Sequence, residues 1–219
     1  MINFEKLIDE HLKRELREKQ VGIYYPSEIG SCLRKVWFSY KKPKELDKDK
    51  IKIFQVGIML HDFIADVLRS EKTPEVRLID SEVPFKLYFP DFMISGRVDD
   101  ILIVEENGKK ILVEVKSTKS LNMINEPQDA HVKQLQIYMH ALKIPNGMIV
   151  YVEKSSLKTI EFEVEYDEEQ VKEIMKRFEK LHEFIITNKM PEPEAKLDPN
   201  KNWMCKYCEY REECERNSL

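Results

Sequence analysis

An acid and a base two residues apart stand inside an otherwise apolar, β-branched run, Ile111-Leu112-Val113-Glu114-Val115-Lys116. Period-two alternation places Ile111, Val113 and Val115 on one face and Leu112, Glu114 and Lys116 on the other. Burying a carboxylate and an ammonium in such a strand is costly without a purpose. Upstream lie Gly96-Arg97-Val98-Asp99-Asp100, an apolar stretch to Val104 and a turn at Asn107-Gly108, so residues 96–118 read as a hairpin. Asp99 is mid-strand and is expected to face the same space as Glu114 and Lys116. Two carboxylates beside one ammonium make a divalent-cation site with a positive charge left for a phosphate. The competing reading is a surface ion pair on an edge strand, and the remainder of the chain decides between them.

Around this hairpin the pattern alternates between helix and strand periods. Residues 3–19 predict a charged amphipathic helix with Phe4, Leu7, Ile8, Leu12 and Leu16 as its apolar stripe. Ser27 is expected to cap a second helix carrying Cys32, Arg34, Lys35, Trp37, Phe38 and Tyr40. Its interleaved basic and aromatic residues suit a single strand lying over stacking rings, with at least one of Trp37 and Phe38 in the core. A polar connector leads to a helix over 51–68 with Ile53, Val56, Gly57, Leu60, Ile64, Val67 and Leu68 at helical spacing, and His61 bordering the buried face. Strands follow over 76–89, with Pro84 as a point of irregularity, 92–104 and 110–118. Asp129 is expected to cap a helix to Leu142 that carries Gln134 and Tyr138 on one face. Two more strands, 147–152 and 157–166, precede a helix that Asp167 caps. The order helix, three strands, helix, strand predicts an α/β class with a mixed sheet flanked by helices.

The four cysteines are lopsided: Cys32 alone, then Cys205, Cys208 and Cys214 together. In a cytosolic chain such a set reads as a metal site rather than disulfides. Zinc ribbons show two matched Cys-x-x-Cys pairs, and here there is one, so the spacing is closer to an iron–sulfur arrangement. The length of 219 residues suits a single domain. A net charge of −4 argues against a protein that coats nucleic acid non-specifically, so DNA contacts have to come from local basic clusters. No apolar run approaches membrane-spanning length and Met1-Ile2-Asn3-Phe4-Glu5 lacks a signal-peptide pattern, so a cytoplasmic protein with no membrane contact is expected.

Taken together these motifs resemble the CRISPR-associated, RecB-like exonuclease family with a four-cysteine iron–sulfur cluster, within the PD-(D/E)xK nuclease superfamily. The resemblance is carried by Cys32, His61, Gly96-x-x-Asp99, Glu114-x-Lys116, Gln134-x-x-x-Tyr138 and Cys205-x2-Cys208-x5-Cys214, in the family's order. It implies a restriction-endonuclease-like mixed sheet in one domain over 1–219. The nuclease core would span about 52–188, and residues 20–50 with 189–219 would form a cluster-bearing part whose cysteines clasp the two ends. It implies that Cys32, Cys205, Cys208 and Cys214 hold a [4Fe–4S] cluster, and that His61, Asp99, Glu114 and the Val115 carbonyl hold Mg²⁺ or Mn²⁺. Lys116 would act on the attacking water or the scissile phosphate, with Gln134 and Tyr138 beside it. The activity implied is a metal-dependent exonuclease on single-stranded DNA ends, trimming DNA for spacer acquisition with the CRISPR integrase proteins as partners. A repair or recombination nuclease of the same superfamily, and an iron–sulfur DNA-binding subunit without turnover, remain open alternatives.

Overall fold

The computed structural model describes every residue except Arg17, Glu105, Ser218 and Leu219. In chain order the first half forms α1 (Phe4–Leu12), β1 (Ile23–Tyr24), α2 (Pro26–Ile29), α3 (Leu33–Lys41), α4 (Lys48–Arg69), β2 (Val76–Tyr88), β3 (Met93–Val104) and β4 (Lys109–Thr118). The second half forms α5 (Asp129–Leu142), β5 (Asn146–Glu153), β6 (Thr159–Glu165), α6 (Glu168–Ile186), α7 (Glu194–Leu197), α8 (Trp203–Lys206) and α9 (Arg211–Arg216).

Among the described residues the strands make one six-stranded mixed sheet, β1-β3-β4-β5-β6, with β2 paired to β3. The three-strand meander β2–β3–β4 is antiparallel, while β5 joins β4 in parallel after the α5 crossover. Gly108 turns the β3–β4 hairpin at φ +67°, a left-handed conformation that glycine adopts without steric cost. Leu112 enters the larger apolar cluster with Ile94, Leu135, Ile149 and Phe178. Ile111, Val113 and Val115 enter a smaller one against Leu60 of α4. The sheet is therefore covered on both faces, by α4 on one side and by α5 and α6 on the other, as the alternation within β4 requires.

Gly147 of β5 marks the closest approach of α5 to the sheet: a Cβ there would stand 2.7 Å from Leu135 Cδ2. Gly30, after α2, does the same for α5 against the N-terminal part, since its Cβ would meet that of Ala130 at 2.3 Å. Among the described residues no helix is long and apolar enough to cross a membrane.

Several local expectations are corrected. The first helix stops at Leu12 rather than running to residue 19, its stripe is exposed except at half-buried Leu12 (Phe4 71%), and Arg17 of the expected helix lies outside the described residues. With its stripe mostly exposed, so charged a helix has little to extend it. Ser27 is not a cap: Tyr25 precedes α2, Pro26 is its first residue, and Glu28 reaches back to the Tyr25 N–H at 3.0 Å. Cys32 itself is the residue before α3. In α4, Ile53 (54%) and Val56 are exposed, so the buried stripe narrows to Ile51, Leu60 and Ala65 with Ile64 and Leu68 beside them. The irregularity of β2 falls between Leu78 and Asp80 and at Glu82 (φ +55°), not at Pro84, which pairs normally with Arg97. β2 pairs only with β3 among the described residues, and an edge strand is where proline is tolerated. Gln128, not Asp129, caps α5.

The basic–aromatic helix is corrected most. Trp37 and Phe38 are both buried; Trp37 Nε1 donates to the Phe184 carbonyl at 3.1 Å and Phe38 stacks on Tyr210 at 5.4 Å. Arg34 is buried as well, its Nε donating to the Pro191 carbonyl at 2.6 Å. These rings are core and do not offer faces to bases. What they do instead is join the N-terminal part to the C-terminal tail.

Candidate active site

The β3–β4 ladder ends at Asp100–Val113. Its other edge taken by β2, β3 meets the parallel β1 farther along, at Met93 and Ile94. Residues 95–99 lie between these two partners, in a gap that the Asp99 side chain closes: Oδ2 accepts the Val115 N–H at 2.8 Å. A carboxylate thus stands where a strand carbonyl would continue the ladder. His61 reaches the same spot from α4, with Nδ1 3.5 Å from Asp99 Oδ2.

Glu114 is fully buried on the face alternation predicts, and the Lys116 ammonium lies against its Oε1. Neither Glu114 oxygen has a partner in hydrogen-bond geometry, so the contact is electrostatic and both oxygens are orphaned acceptors. Burial raises the Glu114 carboxyl pKa and the Asp99 charge raises it further, against the pull of Lys116. For Lys116 burial acts downward, yet Glu114 and Asp99 outweigh it and the ammonium is favoured. His61 follows the same balance: burial lowers it, Asp99 and Glu114 overcome that, and its pKa is raised. The carboxylates thus favour the charged forms of both Lys116 and His61.

From α5, Gln134 Oε1 accepts from Lys116 Nζ at 3.3 Å while its Nε2 donates to Tyr138 Oη at 2.6 Å. Tyr138 is buried, packed edge-on against Phe85 at 5.4 Å, and burial with the nearby Glu114 raises its pKa. The structure therefore brings Lys116, Glu114, Asp99 and His61 together and links Gln134 and Tyr138 to Lys116 in a chain. Two neighbours were given no role by sequence reasoning. Asp100 is buried on the opposite face, its carboxyl raised to about 6 by burial and by Asp99. His131 lies one turn before Gln134; only its position three residues upstream on the same helix face pointed to it.

Among the described residues no three His, Cys, Asp or Glu side chains converge as a ready-made ligand set. The chemistry of the donors nonetheless fits a hard divalent cation: two carboxylates, one with both oxygens orphaned, and an imidazole beside Asp99.

The cysteines line a second place. Cys32, Cys205, Cys208 and Cys214 line one cavity of about 390 Å³ between α3 and the tail. Burial raises the Cys205 thiol pKa, and Cys32 and Cys214 raise it further, as crowded thiols do. Arg34 Nη1 lies 3.7 Å from Cys214 Sγ. Thiols are the donor type of an iron–sulfur cluster, yet among the described residues no three of these side chains converge as a ligand set. The two chain segments are also tied without any cluster. Arg177 donates to the Ile29 and Ser31 carbonyls, both at 2.9 Å, and forks onto Glu194, which accepts the Leu33 N–H at 2.7 Å.

Comparison with known proteins agrees with this geometry. Residues 7–215 match the model of the PD-(D/E)XK nuclease superfamily. The chain is 27% identical over 214 residues to the CRISPR-associated exonuclease Cas4 of Saccharolobus solfataricus, covering 93% of this chain and 91% of that one. Among solved structures, SSO0001 superposes with a TM-score of 0.61 at 24% identity, over 94% of this chain and 90% of the other. LHK-Exo, an alkaline exonuclease from Laribacter hongkongensis solved with dAMP, superposes with a TM-score of 0.53 at 16% identity, over 81% and 96%. These two likenesses concern the fold.

Proposed function

The chain belongs to the PD-(D/E)XK nuclease superfamily, and from that premise we propose that it is a metal-dependent DNA exonuclease acting on single-stranded ends, trimming DNA for CRISPR spacer acquisition. The observation that carries this reading is the fully buried Glu114 with the Lys116 ammonium against it, beside Asp99 in the gap of the sheet. A carboxylate with two orphaned oxygens in such a place is a cost to folding that a structural ion pair does not require. The likeness to the exonuclease Cas4 over nearly the whole chain supports the CRISPR setting.

In this reading His61, Asp99, Glu114 and the Val115 carbonyl hold Mg²⁺ or Mn²⁺. When bound, the ion supplies Lewis-acid stabilisation of phosphate charge and makes a nearby water more acidic. The remaining work belongs to the chain. Asp99 is fixed by the Val115 N–H, so its free oxygen keeps a set direction. Lys116 turns from Glu114 toward the substrate, where its ammonium stabilises the charge that builds on the phosphate oxygens as water adds and the ester bond breaks. Gln134, itself held by Tyr138, keeps that ammonium from swinging out of the pocket. Glu114 would offer the ion its two unpartnered oxygens.

The four cysteines hold a [4Fe–4S] cluster that closes residues 20–50 onto 189–219, outside the nuclease core of about 52–188. Its role is to fasten segments that Arg177, Glu194 and Phe38 already align. CRISPR integrase proteins are the proposed partners, and the cytoplasm the proposed compartment. Digestion with Mn²⁺ of a linear single-stranded oligonucleotide and of the same sequence closed into a circle tests the reading. Degradation of the linear strand alone is expected; equal cutting of the circle would make the protein an endonuclease.

A further inference from the structure

His131 is a titratable side chain next to this site to which the proposed chemistry gives no task. It lies in the first turn of α5, three residues before Gln134, hence about 4.5 Å along the axis from the amide that holds Lys116. Its partner Tyr151 stands on β5 immediately beside Lys116, the two being register partners across β4 and β5. Tyr151 Oη accepts the Gln128 N–H at 2.9 Å and lies 2.8 Å from His131 Nδ1.

Those two contacts decide the tautomer. Tyr151 is 1% exposed, so its hydroxyl proton needs an acceptor inside the protein. With the Gln128 N–H already directed at the oxygen, Nδ1 is the acceptor at hand, and the imidazole proton is left on Nε2. Nε2 has no hydrogen-bond partner among the described residues, and it is not one of the sealed, unsatisfied atoms of the interior. Burial, with the Lys116 ammonium nearby, lowers the imidazole pKa to about 3, so the ring stays neutral. The result is an oriented, uncharged N–H donor that opens beside the ammonium. Pinned in this form, the ring does not offer Nε2 as a metal ligand and does not repel Lys116.

We infer that His131 is a substrate-binding residue whose Nε2–H donates to a non-bridging oxygen of the phosphate adjoining the scissile one. The offset along α5 places the donor away from the phosphate that Lys116 serves and next to its neighbour in the strand. Tyr151 is the positioning residue that sets the tautomer. The inference rests on the nuclease reading above and adds to it a contact that sets the register of the strand.

The test compares full-length wild type with His131→Ala, His131→Phe and His131→Gln on an end-labelled single strand with Mn²⁺, each variant's melting temperature being checked. Both donorless variants should lose about tenfold to a hundredfold in kcat/KM, mainly through KM. The Phe variant keeps a ring in place where Ala leaves a hole. His131→Gln, which restores an N–H donor, should recover most of the loss. A neutral methylphosphonate at the linkage adjoining the scissile one should erase the difference between wild type and the donorless variants. Folded donorless variants with wild-type kcat/KM, a His131→Gln variant no better than Phe, or a penalty unchanged on the methylphosphonate strand would each overturn the inference. A wild type inert on every strand would overturn the nuclease reading and this inference with it, whereas an active wild type matched by His131→Phe overturns this inference alone.

Discussion

The Asp99 carboxylate accepts the Val115 backbone N–H at 2.8 Å, at the point where the ladder between their strands has ended. One side chain therefore serves both the sheet and the site. Asp99→Asn can keep the hydrogen bond through its amide oxygen while losing the charge; Asp99→Ala loses both. The Asn variant should melt close to wild type yet cleave at least about a hundredfold more slowly. The Ala variant should in addition lose about 1–3 kcal/mol of stability, the cost of a buried N–H left without a partner. Paired melting curves and single-turnover rates check this, and an Asn variant with near-normal cleavage would remove Asp99 from the chemistry.

How far the sequence reveals this arrangement depends on the residue. Glu114 and Lys116 were legible because strand alternation is strict, and two polar residues on an apolar face have nowhere else to point. Asp99 was legible by the same hairpin logic. The gap beside it was not, since it depends on β1, some seventy residues upstream, docking on β3 at Met93. Trp37 and Phe38 read equally well as stacking platforms or as core; only the packing of Tyr210 and the Phe184 carbonyl decides for core. The C-terminal tail that supplies Tyr210 leaves no periodic trace near α3. His131 stood on the expected helix but its role was not legible, because its meaning comes from Tyr151 on another strand.

His61→Ala should shift the Mn²⁺ concentration for half-maximal cleavage upward by about tenfold or more while leaving the rate at saturating metal within a few-fold. Its Nδ1 lies 3.5 Å from Asp99 Oδ2. A metal titration of cleavage rate checks this. An unchanged midpoint would make His61 a core histidine.

Glu194 gives stability a defined acid limb. Burial acts to raise its carboxyl, but Arg177 and the Leu33 N–H outweigh burial and hold its pKa below the ordinary 4.5. A group depressed in the folded state contributes stability that is complete above the unfolded pKa and disappears as pH falls through the lower, folded value. Wild type should therefore lose stability through this group between about pH 5 and pH 3. Glu194→Gln should be less stable at neutral pH and flatter across that window. Chemical denaturation at a series of pH values reads this directly, and parallel curves for the two proteins would contradict it.

Protein purified without oxygen should be brown and carry about four irons per chain, and Cys208→Ser should lose them and lower the melting temperature. The variant should still fold in part, because Arg177, Glu194 and the Phe38–Tyr210 stack hold the same segments. Colourless protein with one zinc and no iron would replace the cluster by a zinc site. A Cys208→Ser variant as stable as wild type would remove the fastening role.

The central claim is that Lys116, resting against buried Glu114, serves a metal-dependent cut of single-stranded DNA. The direct measurement is the single-turnover release of label from an end-labelled single strand, for wild type with Mn²⁺, wild type with EDTA, and Lys116→Ala with Mn²⁺. The account predicts cleavage in the first, none in the second, and a loss of at least about a hundredfold in the third with strand binding retained, equivalent to roughly 3 kcal/mol of transition-state stabilisation. Lys116→Ala cleaving at the wild-type rate, or wild type cleaving equally well in EDTA, would contradict it.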